Sequence, residues 1–351
     1  MLIQKPVSLR RRLIVLVVAT LAPLVIFAVA MIVRVSDQER RTFERGAIDL
    51  ARALTTAIES QLRSPLTTLE ALATSPSLTD DELAVFQERA ERVLKSQRDW
   101  VTITLALPSG KQVMDARYGY PLGAGPPATP LERWSFEEVL RTQRPVIGHL
   151  IQEPVSLQYR FSVRVPVVRD GAVKYVLTAV LLPSFLKDVL DDQRLPPDWV
   201  GVVLDGNRRF VARTVEPERN LGQLASESLR AALDRSSEGW FRGTTLEGRD
   251  VYTPFSRSSF SGWTVALGIP AEFVDATFRR SLIYVVLFAG GLLALGLLLA
   301  WSVSARTVAS INSLVRTADD LGSGKNLSEE APSSIVEVEA VRRAFVTANR
   351  M

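Results

Sequence analysis

Two arginines on one predicted strand are the side chains in this sequence best suited to holding a ligand. Residues 158–168 alternate strictly, which places Arg160 and Arg164 on one face and Phe161 and Val163 on the other. In a covered sheet such guanidinium groups need anionic partners, and a small organic acid could provide them by bidentate pairing. Ion pairs with neighbouring strands, or a face open to water, are the alternatives, and structural ion pairs are common.

Three aromatic side chains could form the walls of the same pocket, because aromatic residues line most small-molecule sites. They could equally belong to the core. Arg213, on a later predicted strand, has the same ambiguity as the first two arginines. The predicted ligand-binding residues are Arg160, Arg164, Trp134, Tyr118 and Tyr159.

The residue types that catalysis and metal binding require are scarce. The sequence has no cysteine and one histidine, His149, so disulfides and thiolate sites are excluded. The Gly-Lys pair at 324–325 lacks the first glycine and the final serine or threonine of a phosphate-binding loop. The acids at 80–82 sit where a helix N-terminus favours them. We therefore expect no catalytic residue, no metal site and no cofactor.

Two uncharged apolar stretches, residues 13–33 and 281–304, are each long enough to cross a bilayer as one helix. Basic residues at positions 5 and 10–12 precede the first stretch and favour a cytoplasmic N-terminus. The long segment 34–280 would be translocated regardless of its charge. The sequence therefore predicts two spans, with the middle of the chain outside and the tail inside.

A cleaved signal peptide is the alternative to the first span. Residues 28–30 (Ala-Val-Ala) match the small-residue pattern of a cleavage site. The apolar run continues through residue 33 with no polar region before that site. We therefore predict a retained span.

The segment between the spans begins with helices. An apolar stripe at three- and four-residue spacings predicts a helix over residues 36–64, which Pro65 should kink or interrupt. The stripe then resumes up to a break at residues 75–77. A second helix is predicted over residues 80–97, starting from its acidic residues.

The rest of this segment contains an internal repeat. Residues 99–101 (Asp-Trp-Val) recur at 198–200, and each copy opens a strand–turn–strand unit. Each copy also closes with an apolar strand and a proline that opens a helix, at Pro183 and Pro270. The repeat predicts two tandem α+β modules of about 80–100 residues each.

The tail, residues 305–351, holds two short apolar stripes on either side of residues 322–324. Their three- and four-residue spacing is typical of a coiled-coil seam. Two short helices that each need a partner predict a dimeric four-helix bundle.

In the order of its elements the chain resembles the double-Cache (tandem PAS-like) transmembrane sensors. The resemblance rests on the long first helix, the two strand–turn–strand units and the Gly262-Trp263 strand before a final helix. The tail resembles a HAMP signal-conversion domain in its glutamate and apolar pattern over 337–345, although residues 311–314 lack the usual proline. The resemblance implies an α+β fold with two Cache modules behind a long helix, two flanking transmembrane helices and a helical coupler.

The domain boundaries follow from these elements. Residues 1–12 are the predicted cytoplasmic N-terminus, 13–33 the first span, 34–77 the stalk helix, 78–190 the membrane-distal module, 191–280 the membrane-proximal module, 281–304 the second span and 305–351 the HAMP-like coupler.

Proteins of this layout are most often bacterial sensor histidine kinases, and others are chemoreceptors or cyclic-dinucleotide cyclases. The resemblance implies a homodimeric, lipid-embedded receptor of the bacterial inner membrane. Its periplasmic domain would sense a small molecule and move a helix that controls a cytoplasmic output, such as a kinase acting on a response regulator. His149 lies between the predicted spans, so these residues form no complete kinase core. We expect the output in a further part of the protein or in a partner.

The ligand class is narrowed by one departure from the family. Amino-acid-binding double-Cache sensors carry an Arg-x-Trp motif, whereas Arg133 and Trp134 are adjacent here, which argues against an amino acid and favours another organic anion. The net charge is +4 without any block of like charge, which argues against nucleic acid. A membrane-anchored enzyme and a domain that binds a protein partner are the competing classes.

Overall fold

The computed structural model describes residues 9–79, 82–120, 132–154 and 156–322. Contacts divide the chain into a compact unit, Arg40–Asp275, and a second unit formed by the two flanking segments. The predicted acids at 80–81, residues 121–131 and the second tail helix lie outside the described residues.

Helix α1 (Leu9–Ala73) is 65 residues long and continues through Pro65. The predicted interruption at this proline is therefore wrong. A proline inside a helix removes one backbone hydrogen bond, but here buried leucines precede and follow it, Leu62 and Leu69 being fully shielded from solvent. Burial of this stripe outweighs the local penalty.

Within the compact unit, α1 contacts both halves of the fold. Thr55 donates a hydrogen bond to the carbonyl of Ser256 at 3.1 Å, and the guanidinium of Arg63 lies 4.0 Å from the ring centre of Phe260. Further along, Arg169 donates to the carbonyl of Ala73 at 3.1 Å. One continuous helix therefore supports two successive sheets.

Helix α2 (Leu83–Ser96) begins later than predicted. Glu82 stands at its N-cap without a side-chain capping hydrogen bond, so an acidic residue lies at the helix start as the sequence predicts. The helix is held instead by its buried face, which includes Phe86 and Ala90.

The first sheet matches the predicted strand–turn–strand units and is antiparallel throughout. Its strand order is β2-β1-β6-β5-β3, with β4 paired to β5. Its elements are β1 (Trp100–Ala106), β2 (Gln112–Asp115), α3 (Arg133–Thr142), β3 (Val146–Ile147), β4 (Ile151–Gln152), β5 (Tyr159–Arg169), β6 (Ala172–Leu181) and α4 (Ser184–Asp192).

The second sheet has the order β8-β7-β11-β10-β9 and is also antiparallel. Its first hairpin lies beside its last strand, as β1 lies beside β6 in the first sheet, so the internal repeat is visible in the topology. Its elements are β7 (Val200–Leu204), β8 (Phe210–Arg213), α5 (Pro217–Asn220), α6 (Glu227–Arg235), β9 (Glu238–Thr244), β10 (Asp250–Arg257) and β11 (Thr264–Pro270).

Helix α7 (Ala271–Gly322) begins directly after β11 and is 52 residues long. Its stretch Ile283–Ala305 has a mean hydropathy of 2.5 and is long and apolar enough to cross a membrane. Among the described residues this is the single stretch that meets both conditions. It coincides with the predicted second span, whereas the first span, within α1, stays a prediction.

Candidate functional site

The two faces of the first sheet differ in chemistry. One face is apolar and fully buried, with Ile103, Leu177 and Val163 on three adjacent strands. On the other face Arg164 stands opposite Thr178, and Thr178 stands opposite Thr104. Directly opposed residues share a face. We call the set Thr102, Thr104, Ser162, Arg164 and Thr178 the first-sheet polar face.

Arg164 is 3% exposed and lies under helix α3. Its Nε donates to Ser135 Oγ at 2.7 Å and its Nη1 to Thr178 Oγ1 at 3.0 Å. Its Nη2 donates to the Glu132 carbonyl at 3.0 Å and to Ser162 Oγ at 3.3 Å. Burial lowers the pKa of Arg164 to about 10, and the Glu132 charge opposes that shift. The guanidinium is therefore charged at neutral pH and held by four neutral acceptors.

Glu132 connects this network to the start of α3. Its carboxylate accepts the backbone N–H of Ser135 at 3.1 Å, which is an N-capping interaction. A Cβ on Gly148 would lie 2.7 Å from the Glu132 carboxylate, so a larger residue there would displace this carboxylate. The Glu132 charge acts on Arg164 from within the fold, but the hydrogen bonds described for Arg164 go to neutral acceptors, so the ion-pair interpretation stays a prediction. A role for Arg164 as a ligand contact stays a prediction.

Arg160 lies on the same strand but has its own partners. Its Nη2 lies 2.7 Å from Glu153 Oε2 and donates to Ser156 Oγ at 3.1 Å. Its Nε is buried without a partner among the described residues. The hydrogen bonds described for Arg160 and Arg164 share no acceptor, so the structure does not bring the two guanidinium groups onto one internal anion.

The three predicted aromatic residues lie in three different surroundings. Trp134 is 48% exposed and stacks on His149, with ring centres 4.3 Å apart. Tyr118 is 54% exposed. Tyr159 packs against Gly222 of the second half, where a Cβ would collide with its ring. Their ligand contacts stay predictions.

Asp115 was not singled out in the sequence, yet it borders the polar face. It is 6% exposed, and its carboxylate accepts Thr102 Oγ1 at 2.5 Å and the backbone N–H of Arg117 at 2.8 Å. The signal was present in the alternation of Thr102 and Thr104 with apolar residues along β1. The side chains from α3 could not be assigned to this face, because they come from a separate element.

The two sheets meet through a buried junction. Asp205 accepts the backbone N–H of Leu150 at 2.9 Å, and burial raises the pKa of Asp205. A Cβ on Gly206 would lie 2.5 Å from Cε1 of His149. The rings of Phe161 and Trp263 meet edge to face at 5.0 Å. His149 is therefore a packing residue of this junction, within the described part of the chain.

The second sheet holds a cavity of about 40 Å³. Its apolar lining includes Val202, Phe210 and Leu229, and its one charged lining residue is Arg213. No group of three or more metal-ligating side chains occurs among the described residues.

No family model matches the chain, and no curated protein matches it. The sensory domain of the Campylobacter jejuni chemoreceptor Tlp3 with isoleucine bound is 15% identical, with a TM-score of 0.53, over 68% of this chain and 97% of that one. The ligand-binding domain of the Pseudomonas aeruginosa PAO1 amino acid chemoreceptor PctB in complex with L-Arg is 12% identical, with a TM-score of 0.51, over 67% and 98%.

The extracellular domain assigned to the histidine kinase rpHK1S-Z16 is 15% identical over 66% of this chain and 95% of that one, with a TM-score of 0.48. The two chemoreceptor matches show the fold. The long helix and the two antiparallel sheets form the architecture of an extracellular sensory domain, which confirms the predicted resemblance at the level of fold.

Proposed function

We propose that this protein is a transmembrane receptor that binds a small molecule against the first-sheet polar face and transmits the binding through α7. The observation that carries the proposal is a buried sheet face lined by hydroxyls and charges, on a fold shared with chemoreceptor sensory domains. A core face needs no such polarity. In the predicted layout this face belongs to the membrane-distal module and lies in the periplasm.

The ligand we propose is a small carboxylate-bearing molecule, such as an organic acid or an amino acid. Arg164 and the threonine hydroxyls supply donors, and Asp115 supplies a nearby anion. Tlp3 and PctB are named with isoleucine and L-Arg, which adds amino acids to the class favoured by the sequence. The missing Arg-x-Trp motif argues for organic acids, so both groups belong in the test.

Transmission would follow the continuous backbone. Strand β11 lies between β7 and β10 and leads at Pro270 into α7, which contains the apolar stretch Ile283–Ala305. A ligand can act only by favouring one of two arrangements. We propose that these are two arrangements of a homodimer, read by a HAMP-like coupler and a kinase or chemotaxis output.

The first experiment is thermal unfolding of the full chain in nanodiscs against a panel of organic acids and amino acids. A ligand at about 100 times its dissociation constant adds about 2.7 kcal/mol to the folded state, so the melting temperature should rise measurably. Thr178→Val should abolish the rise, because it removes a hydroxyl of the polar face. Thr67→Ala, on the exposed side of α1, is the control.

The ligand-induced rise is compared within each variant, because Thr178→Val leaves an Arg164 donor unpaired and lowers stability by itself. A ligand that still raises the melting temperature of Thr178→Val would contradict a binding site on the first-sheet polar face. Silence across the panel would contradict small-molecule sensing and support the protein-partner class.

A further inference from the structure

We propose that the second sheet carries a separate binding site for a short monocarboxylate, in which Glu247 occupies the place of the ligand's carboxylate on Arg213. This site is distinct from the first-sheet polar face and does not depend on it. Three features of the second sheet point to this site: a cavity, a buried cation with an unused donor, and a carboxylate that can leave.

The cavity lies between the second sheet, helix α6 and the turn that joins β9 to β10. Val202, Phe210, Leu229 and Ala266 belong to its apolar lining, and its polar lining consists of Arg213 and the hydroxyl residues Ser226, Thr244, Thr245 and Thr253. None of its lining residues is acidic. It therefore suits a short apolar tail beside one positive charge, and its lining offers an ammonium group no carboxylate partner.

Arg213 is the fixed part of the site. Its side chain is 3% exposed and stands on β8, opposite Val202 in the ladder. Its Nη1 and Nη2 lie 2.7 and 2.9 Å from the two carboxylate oxygens of Glu247. Its Nε is buried and has no partner among the described residues. A guanidinium has five N–H donors. In Arg213 the Nη1 and Nη2 groups already point at the two oxygens of a carboxylate.

Glu247 is the exchangeable part. It lies in the β9–β10 turn, where Thr245 donates to the carbonyl of Arg249 at 3.0 Å and Gly248 adopts a positive φ of 78°. Its side chain is 34% exposed, against 3% for Arg213. Moving Glu247 outward would place its charge in water, whereas Arg213 cannot leave without abandoning the core. A free carboxylate can therefore replace Glu247.

The internal carboxylate also predicts how tightly a ligand binds. The hydrogen bonds from Arg213 lower the pKa of Glu247 to about 2. This residue is therefore ionised at neutral pH and competes with a ligand carboxylate for Arg213. A ligand can bind only to the small fraction of molecules in which the internal group has left the site, and its apparent affinity is lowered in proportion to that fraction. The wild-type site should therefore be weak, and its affinity should rise when the competitor is removed.

The site is close to the route toward the membrane. The turn that carries Glu247 leads into β10, where Val251 pairs with Pro270. Pro270 immediately precedes α7. A ligand that moves this turn would therefore act on the strand pair from which α7 starts.

The test is calorimetric titration of the full chain in nanodiscs with propionate, and with propionamide as the uncharged analogue, in a buffer without carboxylates. Glu247→Gln should bind propionate about tenfold more tightly than the wild type, because the charged competitor is gone. In a Thr178→Val background, which removes the proposed first-sheet site, Arg213→Met should abolish propionate binding, and Arg213→Lys should weaken it because the two-pronged contact is lost. Arg242→Met, which removes an exposed arginine of β9, is the matched control and should bind as the wild type does.

Equal or weaker propionate binding by Glu247→Gln would overturn the proposal, and so would propionate binding that persists when Arg213→Met is combined with Thr178→Val. Absence of binding in both the wild type and a folded Glu247→Gln chain would overturn it as well. Thr178→Val should leave propionate binding at Arg213 unchanged, so failure of the first-sheet site and failure of this one give different results.

Discussion

Two buried arginines of the compact unit have different kinds of hydrogen-bond partner. Arg164 is surrounded by four neutral acceptors, with the Glu132 charge nearby. Arg213 is paired directly with a carboxylate on an exposed turn. Removing one partner of a buried charge is costly when the other remains buried and unpaired. The hydrogen bonds of Arg164 are therefore expected to stay in place, whereas the carboxylate on Arg213 can be replaced by another carboxylate.

Glu247→Gln should remove a pH-dependent part of the stability. The folded pKa of Glu247, about 2, lies below its ordinary value of 4.5. A lowered pKa stabilises the fold above the unfolded value, and that contribution disappears as the pH falls through the folded value. The stability difference between wild type and variant should be constant above about pH 5 and vanish near pH 2. Urea unfolding at pH 7, 4 and 2.5 measures it.

Glu227→Gln, on the exposed first turn of α6, is the control for this series. A wild-type-to-variant difference that stays the same from pH 7 to pH 2.5 would contradict the Arg213–Glu247 pair as described. Because the carboxylate is about one third exposed, solvent screening keeps the size of the effect modest.

At the scale of elements, strands were predictable where alternation was clean. β5 was predicted within one residue, because its apolar and polar positions follow a period of two. β9 and β10 were missed. β9 contains Gly239 and Gly243, and Pro254 stands in the middle of β10 opposite Trp240. Glycine and proline inside a strand weaken the sequence pattern from which the strand is predicted. These two strands form nonetheless, because they pair with their neighbours in the sheet.

Pro65 shows the same limit for helices. Its local preference ends a helix, but α1 has fully buried residues on both sides of it. The packing that overrides the proline comes from sheets far away in the sequence, which a local pattern does not reveal. Likewise, Ser135 and Glu132 join Arg164 only because α3 folds back over β5.

Leu62→Ala tests whether packing holds α1 together near its proline. Leu62 is fully buried, and a buried leucine reduced to alanine costs about 2–5 kcal/mol. We expect a loss in that range, measured by urea unfolding with tryptophan fluorescence. The exposed neighbour Gln61→Ala should change stability by no more than about 0.5 kcal/mol. Equal effects of the two substitutions would show that the stripe does not support the helix.

At the scale of the whole compact unit, the two sheets depend on the junction around His149 and Asp205. Leu150 donates its backbone N–H to Asp205, and His149 packs onto Gly206. These contacts join the segment between β3 and β4 of the first sheet to the β7–β8 turn of the second. A change at one sheet can therefore reach the other without passing through α1.

Gly206→Ala should loosen this junction. The added Cβ would lie 2.5 Å from Cε1 of His149, so the imidazole has to move. Overpacking of this kind costs about 1–3 kcal/mol. We expect faster hydrogen exchange at the Leu150 amide, whose acceptor is Asp205. Adding His149→Ala to Gly206→Ala removes the obstructing ring and should restore part of the protection. No gain in the double variant would argue against direct contact between these residues.

The continuity of α1 sets a rule for building chimeric proteins from this chain. Its residues 55–63 contact the second half of the fold, and its end at Ala73 contacts the first. A graft that exchanges only the first sheet must therefore be spliced inside an unbroken helix, between Arg63 and Ala73. One inserted or deleted residue there rotates everything beyond the splice by about 100°. Donor and host helices should be joined in register with the buried leucines, with any length difference added in multiples of seven residues.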